Sequence, residues 1–157
     1  MLSIPKSGWT DFILHEDHKY CLSYLTDVPT EWLRNAINGL EWLEPFSVHG
    51  FCEPGRMICT VSYLSCFIIF ENDGITYDPR QRETWEIGIT MHELCEMLYH
   101  DISCNIDEWV NWEMNSDDEE EDLLARKKEM EKQLEELSRL IEFRKNEFEN
   151  PCQLSFF

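Results

Sequence analysis

The sequence predicts an α+β fold: a mainly antiparallel sheet made of a hairpin plus a meander, helices packed on one face, and a long C-terminal helix. Two periodicities and one ordering carry this prediction. Apolar residues alternate at the strand period in short runs between residues 9 and 89. They recur at helical spacing over 29–40, from 91 onward and again past 123. Strand runs follow one another across short turn signals, and this grouping of strands with strands indicates α+β.

Residues 9–26 read as a hairpin. Phe12 and Leu14, then Tyr20, Leu22 and Tyr24, alternate with other residues about the polar turn His15-Glu16-Asp17-His18. Pro29 opens a helix, where its missing N–H costs little. Trp32, Leu33, Ala36, Ile37 and Leu40 form that helix's apolar stripe, and Pro45 closes the segment. Residues 46–78 read as a three-stranded meander, with turns at Glu53-Pro54-Gly55-Arg56 and Asn72-Asp73-Gly74. Its second strand runs from Met57 to Leu64 and its third from Cys66 to Phe70, with Ile75 and Tyr77 as a short edge continuation. A loop at Pro79-Arg80-Gln81-Arg82 leads to a strand near Trp85, Ile87 and Ile89.

Thr90-Met91-His92-Glu93 is a capping box, in which the Thr hydroxyl and the Glu carboxylate serve backbone N–H groups reciprocally. A helix over 91–112 follows, lined by Met91, Leu94, Cys95, Leu98, Ile102, Ile106 and Trp109. Ser116-Asp117-Asp118-Glu119 is a second capping box, and the acids of 117–122 suit the positive end of a helix dipole. The final helix spans 117–148 and stops at Asn150-Pro151. Leu123, Met130, Leu134, Leu137, Ile141 and Phe148 step along it in a heptad-like stripe interrupted by Lys127 and Arg144, so a coiled coil or a homodimer through this helix is one use of it. Packing along its own domain is the other. The expected organisation is an acidic α+β globular domain over 1–115, a long charged helix over 116–150, and an apolar tail over 151–157.

Charge limits the function. The chain has 157 residues, with 32 Asp and Glu against 13 Lys and Arg, a net of −19. Residues 1–116 hold 19 of the acids and 6 of the bases, so most of the excess lies on the globular part. Such a surface opposes nucleic acid, which is bound through basic faces, and anionic membranes. It attracts basic proteins, and that attraction weakens with salt. Aromatic residues make up 13% of the chain, too many for a disordered acidic segment. No apolar run reaches the ~20 residues of a membrane span, and the N-terminal residues carry no signal-peptide pattern. Seven Cys, with no C-x-x-C, fit free thiols in a reducing cytoplasm.

Candidate chemistry is sparse. His92-Glu93-Leu94-Cys95-Glu96 begins like a zinc-protease helix, but Glu96 stands where the second His is needed. His92, Glu96 and His100 share a face by their spacing, and that face reads as solvated and polar. His15 and His18 flank two carboxylates in a turn, which is ordinary turn polarity. Cys52, Cys59 and Cys66 recur every seven residues, a spacing that keeps no single strand face. Nucleophile-elbow, phosphate-loop and dinucleotide motifs are missing from the sequence, so the chain reads as non-enzymatic, with no metal and no cofactor. Trp42 and Trp112 lie near predicted helix ends, where an exposed Trp among carboxylates makes a binding hot spot.

The size, the acidity and the α+β layout of residues 1–113, with Gly8-Trp9, Tyr24-Leu25-Thr26-Asp27-Val28-Pro29 and Asp107-Glu108-Trp109-Val110, resemble small bacterial immunity proteins of toxin systems and phage-encoded inhibitors. That resemblance implies an inhibitor that neutralises a basic target, a nucleic-acid-acting toxin or effector. The tail Gln153-Leu154-Ser155-Phe156-Phe157 resembles the pentapeptide Gln-Leu-(Ser or Asp)-Leu-Phe, which docks bacterial polymerases and repair proteins on the replication sliding clamp. Four of five positions agree, and Phe156 stands where Leu is usual. This second resemblance implies that Gln153 would hydrogen-bond at a pocket rim while Leu154, Phe156 and Phe157 fill an apolar pocket.

Overall fold

Strand-period alternation and helical stripes resolve, among the described residues, into ten elements. The computed structural model describes residues 1–16, 18–72, 82–112 and 120–149. In order they are β1 (Trp9–His15), β2 (His18–Ser23), α1 (Val28–Trp42), β3 (Phe46–Phe51), β4 (Arg56–Val61), β5 (Cys66–Glu71), β6 (Arg82–Ile87), α2 (Met91–Ser103), α3 (Ile106–Val110) and α4 (Glu120–Glu149). β1 and β2 form a two-stranded antiparallel sheet, and β3-β4-β5-β6 form a four-stranded antiparallel meander. The fold is α+β, as the order of periodicities predicts.

The meander buries one face. Val48, Met57, Cys59, Val61, Cys66 and Ile68 point inward at the period of two and are fully buried. The helices answer with Trp32, Leu33, Ala36 and Leu40 from α1 and Met91, Leu94, Cys95 and Leu98 from α2, all in the same core. Burying each large apolar side chain contributes ~1.5–3 kcal/mol, so this interface dominates stability. On the outward face Arg56, Glu71 and Arg82 pair in register across three strands. The Glu71 carboxylate takes Arg56 at 2.6 Å and Arg82 at 3.0 Å.

The sheet's β3 edge is occupied by side chains from α1 and its approach. The Trp32 indole N–H donates to the His49 carbonyl at 2.9 Å, and the Asn35 amide donates to the Ser47 carbonyl at 3.0 Å. The Phe51 N–H donates to the Thr26 hydroxyl at 3.3 Å.

α4 lies along α1 and α2. Its Met130, Leu134, Leu137 and Leu140 are buried in the core of the same chain. Gln133 donates to the Thr30 carbonyl near the start of α1, and Arg144 to the Leu40 carbonyl near its end, so α1 and α4 run in the same direction. The middle of the heptad-like stripe therefore packs along its own domain, while Leu123, Ile141 and Phe148 are only partly buried against the same core.

Three boundaries also differ from expectation. The second meander strand ends at Val61, because the Ser62 hydroxyl donates to the Ser65 carbonyl and closes a turn before Cys66. The helix expected over 91–112 breaks after Ser103. The Asn105 side chain donates to the Asp101 carbonyl at 3.0 Å, and Asn105 itself is non-helical, with φ −134°. Short polar side chains compete in this way for helical carbonyls. The strand expected near Ile89 ends at Ile87 and begins earlier, at Arg82. The capping box at Ser116, the edge continuation at Ile75 and Tyr77, and the stop at Asn150-Pro151 lie outside the described residues.

Candidate functional site

Of the two tryptophans singled out for partner binding, Trp42 ends α1 and is 68% exposed. Trp112 is 1% exposed, and its indole N–H donates to the Thr26 carbonyl at 2.8 Å, within a ring pair with Trp109. The expected exposure of Trp112 is thus corrected. The break at Asn105 turns α3 back on the core and carries the indole inside. Gln153, Leu154, Phe156 and Phe157 lie outside the described residues.

His92 does not lie on a solvated face. It is 6% exposed, and its Nε2 lies 2.9 Å from the Ile141 carbonyl on α4, with the Phe148 ring 5.4 Å away. α4 covers the side of α2 that local spacing assigns to water. Glu96 stays 3.6 Å from His92 Nδ1, while exposed His100 turns toward Asp101. The three do not converge. His15 and His18 face each other across the β1–β2 turn with ring centroids 5.9 Å apart. His18 packs on Trp85 at 4.2 Å. Among the described residues, no group of three or more His, Cys, Asp or Glu is placed to hold a metal ion.

The cysteine spacing has a geometric origin. Cys59 on β4 and Cys66 on β5 stand on the same inward face, because Cys66 pairs with Val61, which lies two residues from Cys59 along β4. Cys52 lies in the preceding turn, half-buried. Burial pushes the Cys52 thiol up to about 11. The hydrogen bond that the Cys59 thiol donates to Cys66, together with burial, raises that of Cys59, and burial raises that of Cys95. Buried thiols held protonated are poor nucleophiles.

Electrostatics distinguishes the surface. The described bases are largely engaged by the chain's own acids: Lys19 with Asp11, Lys127 with Asp107, Arg139 with Glu136, Lys145 with Glu149, and Arg56 and Arg82 with Glu71. Exposed carboxylates remain on several elements. Glu41 and Glu44 lie at the end of α1, Glu83 and Glu86 on β6, Glu93 and Glu96 on α2, and Glu108 on α3.

One feature is not indicated by local sequence. A cleft of about 320 Å³ opens between β2 and the end of the meander. Its aromatic walls are Tyr20, Phe70 and Trp85, with ring centroids 5.4 Å (Tyr20–Phe70) and 6.3 Å (Tyr20–Trp85) apart. His18, Lys19 and Glu83 border it, with the thiols of Cys21 and Cys52. Tyr20 is only 6% exposed, and among the described residues its hydroxyl has no hydrogen-bond partner. Burial, and then the nearby Glu83 charge, push that phenol up to about 12. Alternation along β2 marks Tyr20 as inward, but the aromatic neighbours come from strands far along the chain. No family model, no curated protein and no solved structure matches this chain.

Proposed function

We propose that this chain is a non-enzymatic, acidic binding protein that inhibits a basic protein target, a nucleic-acid-acting toxin or effector. The observation that carries this reading is the charge balance of the folded surface. The net charge of the chain is −19, and seven of its bases, Lys19, Arg56, Arg82, Lys127, Arg139, Arg144 and Lys145, are held in ion pairs within the chain. An approaching protein meets mainly carboxylates on a fixed scaffold, which steers a basic partner and repels phosphate backbones. Cytoplasmic action on such a target accords with the chain's seven cysteines, and among the described residues no helix is long and apolar enough to cross a membrane.

A second reading rests on Gln153-Leu154-Ser155-Phe156-Phe157. It makes the chain a replication-associated adaptor that docks on a sliding clamp. One experiment separates the two. The full chain and a version ending at Cys152 are used as baits in bacterial lysate at low and high salt. The first reading expects one basic protein on both baits at low salt, largely lost at high salt as the Debye length shrinks from ~10 Å at 0.1 M to ~3 Å at 1 M. It fails if no basic protein is retained, or if retention ignores salt. A sliding clamp captured only by the full chain, at both salt levels, establishes the second.

A further inference from the structure

We infer that the cleft between β2 and β6 receives one arginine side chain of the basic partner, its guanidinium held against the cluster of Tyr20, Phe70 and Trp85 rings beside the Glu83 carboxylate. This inference rests on the acidic-binding reading and assigns it an anchoring site. Three independent features point to a cation with several hydrogen-bond donors. The first is the wall. The Tyr20 ring is tilted 45° to Phe70 and 59° to Trp85, so the rings converge without stacking flat on one another. Cations are drawn to such ring faces within ~6 Å, more strongly where water is excluded.

The second is the Tyr20 hydroxyl, buried without a hydrogen-bond partner among the described residues. Buried polar groups in folded proteins are nearly always paired, so an orphan in the wall of a cleft marks a place where a ligand atom belongs. The third is charge. Glu83 is exposed on β6 and close enough to raise the Tyr20 phenol. Lys19, the cation of the lining, is held by Asp11 at 2.8 Å and so is locally neutralised. His18 rests against the Trp85 ring.

These features select among ligands. An anion would meet Glu83 and the charge of the whole chain. A neutral aromatic would leave both Tyr20 and Glu83 unpaired. A guanidinium is planar and only weakly hydrated. It stacks on rings and carries five donors and no acceptor, so it serves the phenol oxygen and the carboxylate together. An ammonium is more strongly hydrated and lacks the flat face, which ranks lysine below arginine.

The test titrates the full chain, with its tryptophans labelled for indole N–H spectroscopy, against N-acetyl-arginine amide. Its neutral isostere N-acetyl-citrulline amide runs in parallel. The expected result is a saturable shift of the Trp85 indole by the arginine probe, at least about 10-fold tighter than by citrulline. Glu83→Gln and Tyr20→Phe should each weaken the arginine probe about 3- to 10-fold. Tyr20→Phe should leave thermal stability equal or higher, because it removes an orphan and breaks no bond. Equal binding of the two probes, shifts that spare Trp85, or unchanged affinity in both variants overturns the inference. Salt-sensitive capture of a basic protein that is unaltered in both variants also overturns it, while leaving the acidic-binding reading intact. Arginine binding at Trp85 with no basic protein captured supports the cleft and fails that reading.

Discussion

Arg144 reaches back across most of the chain to Leu40: its Nε donates to the Leu40 carbonyl at 2.9 Å, and a second guanidinium nitrogen donates to the Glu41 carbonyl at 2.6 Å. These are among the last carbonyls of α1, which have no partner within their own helix. About five helical turns earlier on α4, Arg126 donates to the Val110 carbonyl at the end of α3. The long helix thus closes the C-terminal ends of two others with charge that suits their dipoles. The two residues that interrupt its apolar stripe belong to its docking, Arg144 through α1 and Lys127 through its pair with Asp107 on α3.

Replacing Arg144 should therefore destabilise the fold more than an average surface change. Arg144→Leu leaves the α1 carbonyls unserved and also removes the pair with Glu147. The expected cost is ~1.5–3 kcal/mol, read as a lower urea midpoint at an unchanged slope. Arg144→Lys should recover part of it, and Arg139→Leu, on the exposed face, should cost under ~1 kcal/mol.

The two tryptophans at helix ends should separate in the same assay. Trp112→Phe removes one of the two hydrogen bonds to the Thr26 carbonyl, which also accepts from the Val28 N–H, costing about 0.5–1.5 kcal/mol. Trp42→Ala should change stability by no more than ~0.5 kcal/mol, because the ring is largely in water. If Trp42 contributes to partner binding, its loss appears in the salt-sensitive capture without a shift in the urea midpoint.

Acid should weaken the start of α2. Glu93 accepts from the Thr90 N–H and from its hydroxyl, both at 2.8 Å, and these bonds hold its carboxyl below the ordinary value of 4.5. A carboxyl depressed on folding contributes stability above that ordinary value and loses it as pH falls through the folded one. Glu93→Gln should cost about 0.5–1.5 kcal/mol at pH 7, and the gap from the native chain should shrink as pH drops below 4.5. Urea midpoints at pH 7 and pH 3 measure it.

Thiol labelling should follow burial. Cys104 is exposed and should alkylate in the folded protein. Cys59 and Cys95 are buried with raised thiol pKa values and should label only on unfolding. Cys52, pushed up to about 11, should be slow at pH 8 and quicken with alkali. Peptide mapping after timed iodoacetamide treatment reads each site separately.

The elements that follow from sequence are those whose partners are local. The stripe Trp32, Leu33, Ala36 and Leu40 is buried at the period that marks it, and the Thr90 capping box forms as spaced. His92 and Trp112 are misplaced by the same logic, since their surroundings come from α4 and from Thr26, distant in the chain. Periodicity places the meander strands but not the turn that ends β4, because a Ser hydroxyl on a carbonyl leaves no hydrophobic trace. The cleft is less legible still. Tyr20, Phe70 and Trp85 each read as ordinary inward residues, and only the packing of β2 beside the meander brings them together.

The side chains lodged along β3 bear on how copies of this protein meet. A sheet lengthens into a fibre only if both of its borders accept another strand. Here one border is closed by Trp32, Asn35 and Thr26, at alternate backbone positions where a new strand would bond. A molecule that joined another through its meander could do so once, border to border, and the growing end would then be capped on both sides. Opening that border, for example with Trp32→Phe and Asn35→Leu together, would remove the stopper from polymerisation before it removed the fold.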